Sequence, residues 1–78
     1  MDEVVAEIRR VLREELSLER EVRPADDLVA DLQLDSLGLV TLVVGLEDRF
    51  RVILSEEDAA RVRTVADLAA LVLERRAC

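Results

Sequence analysis

Apolar residues in this chain recur at intervals of three and four positions, and this spacing restricts the chain to helical structure. In residues 2–16 charged side chains occupy one face, and the apolar residues that follow the helical spacing are Val4, Val5, Ile8, Val11, Leu12 and Leu16. An amphipathic helix buries such a stripe against a core. No segment alternates apolar and polar residues convincingly enough to predict a strand, so we expect an all-α fold.

A long loop and a second helix are predicted next. The helical period is lost from residue 17 to residue 35, where Pro24 bars a regular helix through its position; we expect this loop to be pinned by Val22, Leu28 and Leu32. Asp35 is well placed as the N-cap of a helix over residues 36–50.

Two capping motifs predict the remaining helices. After the short extended piece "RVIL", Ser55 and Asp58 form one S/T-x-x-D box, and Thr64 and Asp67 form another. These boxes predict a short helix over about 56–61 and a longer one over about 65–76. The expected architecture is a small four-helix bundle, one domain over residues 1–78, with a long loop between helices 1 and 2 and a short third helix.

Composition excludes several classes of function. The net charge is −7, all eleven cations are arginine, and Phe50 is the single aromatic residue, which argues against nucleic-acid binding. Without lysine or histidine, neither a Schiff base nor a histidine general base is available. One cysteine, Cys78, allows no internal disulfide, and no apolar run is long enough to span a membrane. We therefore expect a soluble cytoplasmic protein that is not an enzyme.

The second helix carries more apolar surface than docking on a core needs. One stripe, predicted to face the core, consists of Leu39, Leu42, Val43, Leu46 and Phe50. A second stripe of Leu37, Val40 and Val44 lies well around the helix, and no arginine occurs from Pro24 through Asp48. A protein-binding face set among carboxylates is one interpretation; the alternative is that the second stripe also belongs to the core.

Ser36 is a lone hydroxyl at the start of this helix. It has no base to activate it as a nucleophile, and Asp35 is the better cap. The remaining interpretation is an exposed acceptor that another enzyme modifies, where an attached phosphate would favour the positive end of the helix dipole.

The stretch "DLQLDSLGLVTLVVGLEDRF" resembles the signature of acyl carrier proteins, and the similarity resumes in "SEEDAARVRTVADLAALV". The resemblance implies that Ser36 receives a 4′-phosphopantetheine arm from coenzyme A and carries acyl groups on it as thioesters. It further implies a monomeric carrier that meets a phosphopantetheinyl transferase and enzymes such as a ketosynthase, an acyltransferase or an acyl ligase. The partner-binding residues it implies are Asp35, Leu37, Val40, Thr41, Val44, Glu47 and Asp48.

The chain departs from the family pattern at several positions. Gln33 and Arg51 stand where glycine is usual, and Gly38 and Thr41 stand where many fatty-acid carriers have acidic residues. These departures favour a specialised carrier in polyketide, hybrid peptide or unusual lipid assembly. Two alternatives stay open: a peptidyl or aminoacyl carrier, and an armless adaptor that binds partners through its second helix.

Gly45 lies inside the second helix, where glycine costs roughly 1 kcal/mol against alanine. Either a neighbour approaches closely there or space is left beside it. We hypothesise that it enlarges an inner pocket; the alternative is a tolerated surface glycine.

Overall fold

A computed structural model describes residues 2–76, and these residues form four α-helices and no β-strand. The helices are α1 (Asp2–Leu16), α2 (Ser36–Phe50), α3 (Glu56–Arg61) and α4 (Val65–Arg76). The all-α prediction is confirmed, and each helix lies where the sequence pattern places it. Cys78 lies outside the described residues.

The core is aliphatic. α1 packs on α2 and α4, and α2 also contacts α4, so these three helices enclose the apolar side chains while α3 buries none of its own. Among residues 2–76 no polar or charged residue is buried; the buried hydrophobic residues are Val4, Val5, Ile8, Val11, Leu12, Val22, Leu28, Leu32, Leu34, Leu42, Leu46, Val52, Leu54, Val65, Leu68, Ala69 and Val72.

The predicted caps start their helices. At α2, the carboxylate of Asp35 accepts the Gly38 N–H at 2.7 Å. At α3, Ser55 Oγ accepts the Asp58 N–H and the Asp58 carboxylate accepts the Ser55 N–H, both at 3.1 Å. At α4, Thr64 and Asp67 make the same reciprocal pair. Each bond satisfies a backbone donor that has no partner within its own helix.

The long loop is fastened to the start of α4. The Leu28 N–H donates to the Arg63 carbonyl at 2.9 Å, and the Val65 N–H, in the first turn of α4, donates to the Asp26 carbonyl at 3.0 Å. The Ala66 N–H donates to the Pro24 carbonyl at 2.8 Å. The apolar residues predicted to pin the loop are all buried; they are Val22, Leu28 and Leu32. The loop therefore enters α2 from a defined position.

Gly45 lies where α2 packs against Val11 of α1. A β-carbon at position 45 would lie 2.9 Å from Val11 Cγ1, closer than such atoms pack. Val11 is fully buried in the core. The absent side chain lets the two helices meet, so Gly45 serves helix packing and does not enlarge a pocket.

Gly45→Ala should lower the free energy of unfolding. Alanine is the better helix former by about 1 kcal/mol, but its methyl group would press on Val11, and overpacking a core costs about 1–3 kcal/mol. In a Val11→Ala background the clash is removed, and the same substitution should become stabilising. Urea unfolding of wild type, Gly45→Ala, Val11→Ala and the double variant measures the coupling between the two positions. A stabilising effect of Gly45→Ala in the otherwise unchanged protein would contradict the prediction.

Candidate functional site

Ser36 is the first residue of α2 and is exposed. Its hydroxyl makes no hydrogen bond to any other residue of the described range 2–76. Because Asp35 provides the cap, Ser36 has no capping task. The structure thus leaves its oxygen accessible at the positive end of the α2 dipole.

The turn that enters α2 adopts a left-handed conformation at Gln33, where φ is 57°. The next residue, Leu34, is buried, and its N–H donates to the Leu28 carbonyl at 3.0 Å. Arg51 at the end of α2 is also left-handed, with φ 56°. At both positions where the sequence departs from the glycine of the family pattern, the backbone takes the conformation that glycine favours.

The two-sided character of α2 is confirmed. Leu42 and Leu46 are 0% exposed, whereas Leu37, Val40 and Val44 are 74%, 58% and 55% exposed. The latter three lie at positions i, i+3 and i+7, which places them on one side of the helix. We call Leu37, Val40 and Val44 the docking face. Its exposure excludes the alternative that the second stripe belongs to the core.

The polar residues predicted to bind partners are engaged within the chain to different degrees. Asp35 is the N-cap, and the carboxylate of Glu47 accepts the Leu54 N–H at 2.8 Å. The Thr41 hydroxyl donates to the Leu37 carbonyl one turn earlier at 2.9 Å. Asp48 is exposed. Asp35, Thr41 and Glu47 therefore also have a structural role within the chain.

A groove of about 210 Å³ lies between α2 and α3. Its walls are mainly apolar, and its lining residues are Leu39, Val40, Val43, Val44, Glu47, Leu54, Ser55, Glu56 and Ala59. An apolar cavity of about 150 Å³ is enough to hold a benzene-sized molecule. Sequence periodicity did not identify this groove, since Leu54 and Ala59 come beside α2 only through the turn between the helices.

A second cleft, of about 270 Å³, lies between α1 and the long loop. It is larger, but it contains none of the predicted site residues and is lined mostly by charged side chains: Arg9, Arg13, Leu18, Glu19, Arg20, Glu21 and Val22. Apolar walls beside the docking face make the α2–α3 groove the better candidate for an apolar ligand.

The far wall of the groove, α3, is held by polar contacts. Asp58 closes the capping box and accepts from Arg75 of α4 at 2.6 Å. The pKa of Asp58 is held below its ordinary value of 3.8, chiefly by the hydrogen bond from the Ser55 backbone N–H. The Ser55 hydroxyl and Arg75 lower this pKa further, and desolvation opposes the lowering with an effect smaller than that of the backbone hydrogen bond. Sequence analysis missed Arg75, because nothing in the pattern shows that the end of α4 reaches α3.

Comparison with known proteins identifies the family. The family described as "Phosphopantetheine attachment site" matches residues 6–72. The acyl carrier protein of Helicobacter hepaticus is 36% identical over 66 residues, which cover 83% of this chain and 87% of that protein. The chain belongs to the acyl carrier protein family. Members of this family carry substrates on 4′-phosphopantetheine for other enzymes and do not catalyse reactions themselves, and this carrier has that role.

Further comparisons agree with this carrier fold. The meromycolate extension acyl carrier protein of Mycobacterium bovis is 36% identical over 72 residues, and they cover 91% of this chain and 63% of that longer protein. The crystal structure of an acyl carrier protein from Thermotoga maritima has a TM-score of 0.84 at 25% identity, covering 95% of this carrier and 87% of that chain. Within residues 2–76 of this carrier, no helix has the length and apolarity that a membrane crossing requires.

Asp58 should make the stability of this carrier dependent on pH in the acid range. Its lowered pKa stabilises the folded state above the ordinary value of 3.8, and this contribution is lost as the pH falls further, through the folded-state pKa. The difference in unfolding free energy between wild type and Asp58→Asn should thus be largest at neutral pH and shrink below about pH 4. Urea unfolding across this range measures it, with Asp48→Asn as the control for loss of one charge. A difference that grows towards acid would contradict the prediction.

Gln33→Gly should stabilise this carrier. A left-handed conformation costs a non-glycine residue roughly 1–2 kcal/mol, and the greater freedom of glycine in the unfolded chain offsets about 0.5–1 kcal/mol of that. We expect a gain of up to about 1 kcal/mol in unfolding free energy. Ala70→Gly, at an exposed position of α4, is the matched control and should lose about 1 kcal/mol. A loss in both variants would show that the Gln33 backbone is not strained.

Proposed function

We propose that this protein is a freestanding, monomeric and cytoplasmic acyl carrier, and that Ser36 is the residue that receives 4′-phosphopantetheine from coenzyme A. The observation that carries the proposal is the exposed Ser36 hydroxyl at the first position of α2, directly after the Asp35 cap. The arm, once attached, supplies a terminal thiol on which acyl groups are held as thioesters.

The residues around Ser36 fit such a group. No described side chain hydrogen-bonds its oxygen, so a phosphodiester there has room to extend into solvent. An anion at this position is favoured by the helix dipole. The Asp35 carboxylate is oriented by its bond to the Gly38 N–H, so it stays beside the attachment point when a transferase approaches.

The α2–α3 groove is the part of the fold suited to the acyl chain. Its lining from α2 includes Leu39 and Val43, which are half-buried against the core. Burial of methylene groups there would be favourable by about 0.8 kcal/mol each. The groove therefore provides a place for the chain to shelter between encounters with enzymes.

Partner enzymes would dock on the docking face of α2, Leu37, Val40 and Val44. Thr41 and Asp48 lie near it along the helix, and the carboxylates of Asp35 and Glu47 flank it at either end. We expect the binding energy to come mainly from apolar contact, while these carboxylates favour encounter with a basic partner surface. The partners in this proposal are a phosphopantetheinyl transferase and an acyl-handling enzyme such as a ketosynthase, an acyltransferase or an acyl ligase.

The pathway we propose is a specialised one. Gly38 and Thr41 leave the middle of α2 without the carboxylates of many fatty-acid carriers. The similarity to meromycolate extension acyl carrier proteins favours assembly of a specialised lipid, with polyketide assembly as the neighbouring option.

Intact mass tests the attachment residue. Wild type incubated with coenzyme A and a broad-specificity phosphopantetheinyl transferase should gain one phosphopantetheine, and Ser36→Ala should gain none. Ser17→Ala, which removes an exposed serine from the long loop, is the control and should be modified like wild type. Modification of Ser36→Ala would move the attachment site elsewhere, and no modification of folded wild type would favour the armless adaptor.

A further inference from the structure

The turn between α2 and α3 is organised around one residue, Glu47. Its backbone carbonyl accepts the N–H of Arg51, which ends α2, and also the N–H of Val52 at 3.3 Å. Its side-chain carboxylate accepts the N–H of Leu54 at 2.8 Å. Three backbone donors of this short turn therefore converge on Glu47.

The bond to Leu54 lies at the α2–α3 groove. Both Glu47 and Leu54 line the groove, and Leu54 is buried while the preceding Ile53 is exposed. The next residue, Ser55, is the N-cap of α3. The position of the Leu54 backbone consequently sets both the apolar wall at this end of the groove and the point where α3 begins.

Besides this hydrogen bond, burial of Val52 and Leu54 in the core anchors the turn. α3 itself adds no buried residue, and its capping box is internal to the helix start. The ion pair between Asp58 and Arg75 attaches the middle of α3 to α4, but it does not reach the turn. The carboxylate of Glu47 is the one side chain among residues 2–76 that hydrogen-bonds the backbone of residues 51–54.

We propose that Glu47 is a positioning residue for the acyl chain: its carboxylate, by holding the Leu54 N–H, keeps the turn against α2 and sets the width of the α2–α3 groove. This rests on the proposed acyl-carrier function. The residue type of Glu47 and its position on α2 suggest only contact with basic partners. The proposal gives Glu47 a structural role within the chain as well.

Loss of this acceptor has a defined consequence. An unpaired Leu54 N–H beside the groove is costly if it stays buried, so the turn would move to let water reach it. That movement would displace Leu54 from the groove wall and admit water to a bound chain. A long acyl chain, which needs the groove, should lose protection, and a two-carbon chain should be unaffected.

Thioester lifetime on the loaded protein tests the proposal. Acetyl and octanoyl thioesters of holo wild type, Glu47→Gln, Glu47→Ala and the control Glu15→Ala, at an exposed position of α1, are exposed to hydroxylamine, and their half-lives are followed by intact mass. We expect wild type, Glu47→Gln and Glu15→Ala to protect octanoyl relative to acetyl, and Glu47→Ala to lose about three- to tenfold of this relative protection, the range expected for one hydrogen bond. Glutamine keeps a hydrogen-bond acceptor but has no charge. Retained octanoyl protection in Glu47→Gln would therefore show that the acceptor positions the turn and that the charge is not required.

Three results of this assay would overturn the proposal. The first two are equal octanoyl protection in Glu47→Ala and wild type, and a loss in Glu47→Gln as large as in Glu47→Ala. The third is absence of relative protection in wild type, because the groove would then not receive the chain.

Hydrogen exchange of the unloaded proteins separates this inference from the attachment itself. Relative to the core amide of Leu68, exchange of the Leu54 amide should be about tenfold faster in Glu47→Ala and near the wild-type rate in Glu47→Gln. If wild type accepts no phosphopantetheine but Leu54 exchange changes as expected, the proposed function is wrong while Glu47 still positions the turn. If Leu54 exchange is the same in Glu47→Ala as in wild type, Glu47 does not position the turn, even when the protein works as a carrier.

Discussion

Packing of an aliphatic core by three helices is the constraint on which the rest of this protein depends. With 78 residues and one cysteine, the chain has no internal disulfide to supplement that core. α2 contributes Leu42 and Leu46 to its centre, and Gly45 lets α1 approach that helix at Val11. Only one side of α2 packs into the core. The other side, with Leu37, Val40 and Val44, stays exposed.

The way α3 is held follows from this arrangement. α1, α2 and α4 share buried side chains, whereas α3 contributes none and is kept in place by hydrogen bonds and an ion pair. Elements with few buried apolar contacts open at lower free energy than the core. The apolar groove therefore lies between α2, which is anchored in the core, and α3, the least constrained helix. In the proposed function, α2 is the stable platform for Ser36 and α3 is the wall that yields to cargo.

Many carboxylates of this acidic protein make hydrogen bonds or ion pairs within the chain. Backbone N–H groups are the largest influence holding the pKa of Asp27, Asp58 and Asp67 below its ordinary value. Asp35 and Glu47 bind backbone donors in the same manner. The same bonds join the long loop and α3 to the bundle, so architecture and surface chemistry are linked through these side chains.

Local pattern alone determined the four helices, their boundaries and their caps, because helical periodicity and S/T-x-x-D boxes act over a few residues. It also singled out Ser36 and the exposed stripe of α2. The tertiary structure decided the contacts between residues that are far apart in the sequence. Gly45 faces Val11, Arg75 reaches Asp58, and Glu47 turns its carboxylate to Leu54. Left-handed backbone at Gln33 likewise has no local sequence signal, since glutamine adopts it only where the surrounding contacts offset the steric cost.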